Sequence, residues 1–145
     1  MATFSDLFAR LDPDPRVRGK QFEHVCKWFL TNDSRYKSLL RQLWLWKEWP
    51  DRWSDAEAGI DLVAEDINGH LWAVQAKAYA DGEPIPKREL NKFLAESNTD
   101  QFHQRLLIAA NDELHHIAQR TVATQSKPVT FVGLSDLRAA DEYLK

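Results

Sequence analysis

Residues 60–79 read IDLVAEDINGHLWAVQAKAY. Two mainly apolar runs, 60–66 and 70–79, flank an Asn-Gly pair, which is a strong short-range signal for a β-hairpin. Yet the second run carries Gln75 and Lys77 two positions apart. In a strand, positions i and i+2 point to one face, so an amide and an ammonium stand side by side on an otherwise apolar strand. Lysines are rarely buried without a partner, so a partner is expected.

The turn decides which residues they meet. A two-residue type I′ turn at Asn68-Gly69 pairs Ile67 with His70 and sends Asp61 to the face away from Gln75 and Lys77. A three-residue loop, Ile67-Asn68-Gly69, ends in a left-handed Gly69 and pairs Asp66 with His70. It sets Asp61 opposite Gln75 and Gly59 opposite Lys77. This second register gathers Asp61, Gln75 and Lys77 into one cluster and leaves room for a ligand beside Gly59. It is the register we expect.

Upstream, TFSDLFARL (3–11) reads as a short helix, and Pro13 and Pro15 stop it. A second helix is expected from near Gly19. Its apolar residues Phe22, Val25, Cys26, Phe29 and Leu30 fall on one stripe of a 3.6-residue period. Glu23, about 100° around from Phe22, lies at the flank of that stripe and can look along the sheet edge. Residues 34–41 read as a further helical piece and 42–48 as a strand with Trp44 and Trp46 on one face. Residues 50–59 form a loop that carries Trp53 just after Trp49. Downstream, Pro84 and Pro86 break the chain. Helices at 87–97, 112–125 and 135–145 alternate with strands at 105–110 and 129–133.

That order implies an α/β fold. Three strands form an antiparallel meander, and two more, each reached through a helix, add in parallel. The result is a mixed five-stranded sheet flanked by helices. The last helix has no stop signal, which suggests a piece of a longer protein.

The length of 145 residues fits one domain, and no metal or disulfide staple is needed at this size. No apolar run reaches the ~20 residues of a membrane span, and no basic-then-apolar secretion signal opens the chain. The single cysteine, Cys26, excludes an internal disulfide and fits a reducing cytoplasm. The net charge of −3 argues against a surface that binds nucleic acid everywhere but allows a local basic strip. Arg16, Arg18 and Lys20 before the second helix, and Lys87 and Arg88 at a later helix start, supply such strips for DNA phosphates. Five scattered histidines and one cysteine give no zinc pattern, and no glycine-rich phosphate loop is present.

Asp61 and Gln75 on neighbouring strands offer hard oxygen ligands of the kind Mg2+ takes, together with waters and a phosphate oxygen. Lys77 beside them supplies positive charge where a pentavalent phosphate gains negative charge. The parts suit phosphodiester hydrolysis.

The Gly-Ile-Asp at 59–61, followed after fourteen residues by Gln75-Ala76-Lys77, resembles the PD-(D/E)XK nuclease superfamily in its Mrr-like, Gln-bearing branch. GKQFEHVCKWFL (19–30) is similar to the first helix of that branch. ARLDPDPRVRGKQFE (9–23) is similar to the opening of the N-terminal nuclease domain of type ISP restriction-modification enzymes. The resemblance spans residues 3 to about 137. It implies a restriction-endonuclease-like three-layer fold over 1–145 and a Mg2+-dependent DNA endonuclease, with Mn2+ able to substitute. Asp61 and Gln75 would be metal ligands, Lys77 the catalytic lysine and Glu23 a supporting ligand. Double-stranded DNA is the implied substrate, in a cytoplasmic restriction system, with helicase-like ATPase and methyltransferase domains following the nuclease. The family often shows Gly-Asp-x-Gly-Ile-Asp, from which Ala56 and Glu57 depart. The competing expectation is a nuclease-like fold kept for DNA binding or domain docking without catalysis, with Trp49 and Trp53 as its contact residues.

Overall fold

A computed structural model of the chain describes residues 4–54, 59–78, 87–110 and 116–143. The hairpin has the three-residue loop. Strands β2 (Leu62–Asp66) and β3 (Leu71–Lys77) pair from Glu65 with Leu71 to Leu62 with Val74. Asp66 N–H bonds His70 O at 2.9 Å, Gly69 N–H bonds Asp66 O at 3.0 Å, and Gly69 is left-handed with φ 81°. Asp66 fixes this turn with its side chain. Oδ1 accepts from Asn68 N–H and His70 N–H, and Oδ2 accepts from Trp72 Nε1–H. Burial by itself would raise the Asp66 carboxyl, but bonds from His70, Trp72 and Asn68 outweigh it and hold the group below its usual value.

A folded-state value below the unfolded one stabilises above the unfolded value near 4, and that stability disappears as pH falls through the folded value. Asp66→Asn is therefore expected to destabilise by about 1–3 kcal/mol at neutral pH, because a charged acceptor is removed from three bonds. Urea titrations should show the difference shrinking below about pH 4. A gap that persists undiminished at pH 3 would contradict the assignment.

Strand β1 (Leu40–Leu45) adds antiparallel to β2, while β4 (Phe102–Ala109) and β5 (Val129–Val132) add in parallel to β3 and β4. The sheet order is β1-β2-β3-β4-β5. Helices α1 (Phe4–Ala9), α2 (Pro15–Asn32) and α6 (Leu134–Tyr143) gather on one side. Their core joins Phe22, Val25, Cys26, Phe29 and Leu30 to Leu62, Val74 and Ile108. Helices α4 (Lys87–Ser97) and α5 (His116–Ala123) cover the other side, where Leu90, Phe93 and Leu94 meet Val63, Ala73 and Leu107. Alternate residues of each strand serve the two cores, as a doubly covered sheet requires.

Several boundaries differ from expectation, among them the start of β4, which lies at Phe102 and not at Arg105. Helix α2 begins at Pro15, not near Gly19, because a first helical position needs no backbone N–H and Asp14 caps it by accepting from Arg16 N–H. The piece after Asp33 is a single turn, α3 (Ser34–Lys37), and β1 starts two residues earlier than the alternation suggested. Trp46 opens a 3-10 turn (Trp46–Glu48), so it does not share a strand face with Trp44. Trp49 is 1% exposed and belongs to the core with Trp46 and Phe102, which removes it as a contact residue. Trp53 remains 47% exposed and leans edge-on against Trp46. Trp46 and Trp49 therefore pack into the core on the α4 side of the sheet, where their large apolar area is hidden.

Candidate active site

The β2–β3 ladder comes apart at its open end, and the site forms in the gap. Past the last pair, Leu62 with Val74, Asp61 N–H still donates to Val74 O at 2.9 Å. The next inward donor on β3, Ala76 N–H, finds no backbone acceptor on β2; Asp61 Oδ2 accepts it at 2.8 Å. Asp61 is 4% exposed, so this bond holds a buried carboxylate in one orientation. The bond from Asp61 N–H to Val74 O departs by one residue from the ladder's register, and Asp61 and Gln75 both lie just past its last pair. Both line a cleft of about 350 Å3 together with Lys77, Arg88, Glu89 and Lys92.

Gln75 is 2% exposed. Its Nε2 donates to Gly59 O at 3.3 Å, which fixes the amide, while its Oε1 is sealed from solvent with no hydrogen-bond donor. A buried acceptor left unmade costs about 1–3 kcal/mol, so a positive group is the natural occupant beside it. That orphaned oxygen, next to a buried carboxylate, fits a hard divalent cation. Among the described residues no group of three or more His, Cys, Asp or Glu side chains is placed to hold a metal, so a cation here would take the Gln75 amide as part of its set.

Gly59 has φ 79° and sits at this cleft, but it does not leave the room expected beside Lys77. A Cβ at Gly59 would stand 3.1 Å from Lys92 Cγ, so the Lys92 stem already fills that space. The glycine is required by its left-handed backbone and by this close approach.

Glu23 reaches the site from α2. It is half-buried and lines two further lobes of the groove, of about 320 and 200 Å3, both of which also contain Asp61. Burial raises the Cys26 thiol well above its usual value, and the nearby Asp61 and Glu23 carboxylates raise it further, so this buried cysteine stays a neutral core residue. The structure thus sets Glu23, Asp61 and Lys77 around one lobe and Asp61, Gln75 and Lys77 around the adjoining cleft, while Glu23 and Gln75 line no common wall.

The basic residues divide. Arg16, Arg18 and Lys20 line the groove beside Glu23, and Arg18 Nε is sealed and without a partner. Arg88 lines the cleft on the α4 side, whereas Lys87 is exposed outside its walls. The groove walls therefore carry more cationic side chains than the three carboxylates Glu23, Asp61 and Glu89, although the chain as a whole is negative. Ala56 and Glu57, the two departures from the family pattern, lie outside the described residues.

Sequence reasoning missed one cleft residue. Glu89 on α4 places Oε1 4.0 Å from Lys77 Nζ. The signal was present. Leu90, Phe93, Leu94 and Ser97 form the buried stripe of α4, and Glu89 flanks it just as Glu23 flanks the stripe of α2.

A mixed five-stranded sheet between two helical layers is the restriction-endonuclease-like fold. A restriction endonuclease family of the Mrr type matches residues 31–142, most of the chain, and the chain belongs to that family. Glu23 and the Arg16–Lys20 strip precede the matched span. Among solved structures, the ATP-dependent type ISP restriction-modification enzyme LlaBIII bound to DNA is similar at 33% identity and a TM-score of 0.76. That match covers 95% of this chain and 8% of LlaBIII. The MspJI restriction endonuclease in complex with a 27-mer oligonucleotide shares the fold at 14% identity and a TM-score of 0.63, over 94% of this chain and 30% of that one. The chain thus spans a small part of either relative. No curated protein matches the chain.

Proposed function

We propose that this restriction endonuclease domain is the Mg2+-dependent, double-strand-DNA-cleaving module of a cytoplasmic, ATP-driven restriction-modification enzyme. The observation that carries the reading is Gln75 Oε1, sealed and without a donor, in one cleft with buried Asp61 and with Lys77. Asp61 and Gln75 would hold the ion, with Glu23 in support, and Mn2+ would substitute. When bound, the ion supplies Lewis-acid polarisation of a phosphate oxygen and a more acidic water.

The chain's own groups do the rest. Hydrolysis joins a water oxygen to phosphorus while the opposite phosphorus–oxygen bond breaks. Lys77 places an ammonium where the phosphoryl oxygens gain negative charge, and it is fixed by the strand and not by a loop. Asp61 keeps its orientation through the Ala76 N–H bond, and Gln75 keeps its own through Gly59 O. Arg18, with a sealed and unpartnered Nε at the groove, is the strongest candidate for a phosphate contact, flanked by Arg16 and Lys20, with Arg88 opposite and Lys87 at the rim. The LlaBIII likeness over nearly the whole of this chain supports a setting of linked helicase-like ATPase and methyltransferase domains.

The test is plasmid cleavage by the full-length protein with ATP. Nicked or linear product is expected with Mg2+ or Mn2+ and none with a chelator. ATP hydrolysis with intact plasmid under both ions would favour a nuclease-like fold used only for binding or docking. For the basic strip, Arg16→Ala, Arg18→Ala and Lys20→Ala together should weaken DNA binding. The slope of log affinity against log salt should flatten by about 0.9 for each phosphate that the protein no longer neutralises. An unchanged salt slope would remove these residues from the DNA interface.

A further inference from the structure

We propose that Glu89 is a further oxygen ligand of the cleft's divalent cation and that Lys77 competes with the cation for it. This rests on the reading of the cleft as a cation-dependent nuclease site. Nothing in the sequence pattern Asp61…Gln75-x-Lys77 assigns Glu89 a role, and it comes from a different layer, the first turn of α4.

Two oxygens in the cleft lack donors. Gln75 Oε1 and Glu89 Oε2 are both sealed from solvent, and neither accepts a hydrogen bond. Both side chains line the same cleft as the buried carboxylate of Asp61. Acceptors brought together without donors repel one another, and the penalty grows as water is excluded. Lys77 does not resolve this. Its Nζ lies 4.0 Å from Glu89 Oε1, beyond hydrogen-bond distance, and it bonds neither sealed oxygen. The pair is a charge–charge contact to Oε1 alone, and it leaves Oε2 unmet.

A first-turn glutamate commonly serves only to offset a helix dipole. Such a group normally keeps both oxygens on water or on backbone N–H groups. Glu89 Oε2 has neither, and a solvated-face role does not account for it. A hard cation does account for it: it takes oxygen ligands alone, and it would satisfy Glu89 Oε2 and Gln75 Oε1 together. With Asp61 and Gln75, Glu89 would make a set of two carboxylates and one amide on the α4 side of the cleft, where all three side chains line the same walls.

The test is Mn2+ binding to the full-length protein without nucleotide or DNA, followed by electron paramagnetic resonance, with Asp61→Asn defining the background. Glu89→Gln is expected to weaken the Asp61-dependent Mn2+ binding about ten-fold. Lys77→Met is expected to tighten it, because the competitor for Glu89 is gone. The opposite signs separate a ligand from a merely structural residue, and melting curves without metal should show Glu89→Gln folded. If Glu89→Gln binds Mn2+ like the parent but nicks plasmid more slowly, Glu89 only positions Lys77 and the ligand assignment is overturned. If the parent shows no Asp61-dependent Mn2+ binding, the cation-dependent nuclease reading falls, and this inference with it.

Discussion

Lys77→Ala in the full-length protein is expected to lower the rate of metal-dependent plasmid nicking by about 10²–10³-fold, the usual cost of removing one preorganised charge-stabilising group. The melting temperature should barely move. Lys77 is half-buried at the end of β3, its ion pair with Glu89 is long, and truncation leaves no buried backbone group unmatched. Asp61 behaves differently. Asp61→Ala should also abolish cleavage, but it strips Ala76 N–H of its acceptor at a buried position and should cost about 1–3 kcal/mol besides. Asp61→Asn is the cleaner variant, since an amide oxygen can still accept that bond while the carboxylate charge is removed. Initial nicking rates, read beside circular dichroism melts, separate the two effects. Retained nicking in either Lys77→Ala or Asp61→Asn would remove the hairpin cluster from the chemistry.

Arg105→Met is expected to produce the largest loss of stability, about 3–5 kcal/mol, which urea titration would measure. Arg105 is 1% exposed, and burial lowers its pKa. Its guanidinium ties three segments together. Nη1 donates to Leu94 O and Ser97 Oγ at the end of α4, and Nη2 donates to Gln125 Oε1 and Lys127 O ahead of β5. Methionine fills much of the volume but takes the donor from the buried Leu94 carbonyl and from the partly buried Lys127 carbonyl. Because α4 also carries Arg88, Glu89 and Lys92 into the cleft, the same change should loosen the α4 wall of the site. A variant as stable as the parent would show that these bonds exchange freely with water.

Much of the fold is legible in the chain, and each success has a local cause. The period of Phe22, Val25, Cys26, Phe29 and Leu30 determined the buried face of α2, and every one of the five is buried. The parallel sense of the last two strands followed from their being reached through helices. The register followed from a chemical demand: only one turn puts an acid beside Gln75, and Asp66 supplies the bonds that hold that turn.

The misses share a different cause. Pro15 read as a stop because helix breaking depends on position, and at the first turn proline breaks nothing. Trp46 and Trp49 read as strand and surface because an alternating pattern does not reveal where a strand bends into a 3-10 turn. Arg105 sat unremarked in an apolar strand, since its four partners come from segments up to 22 residues away.

By itself, then, the sequence determined the layers, the mixed sheet and the meeting of Asp61, Gln75 and Lys77 in one cleft, all of which depend on spacing along the chain. Tertiary structure alone decided what stands around that trio. Splitting of the ladder at Leu62 and Val74 turned Asp61 onto Ala76 N–H. Docking of α4 filled the space at Gly59 with Lys92 and brought Glu89 to Lys77. These are contacts between segments whose separation in sequence carries no period. Only the packing of two helical layers on one sheet sets their distances.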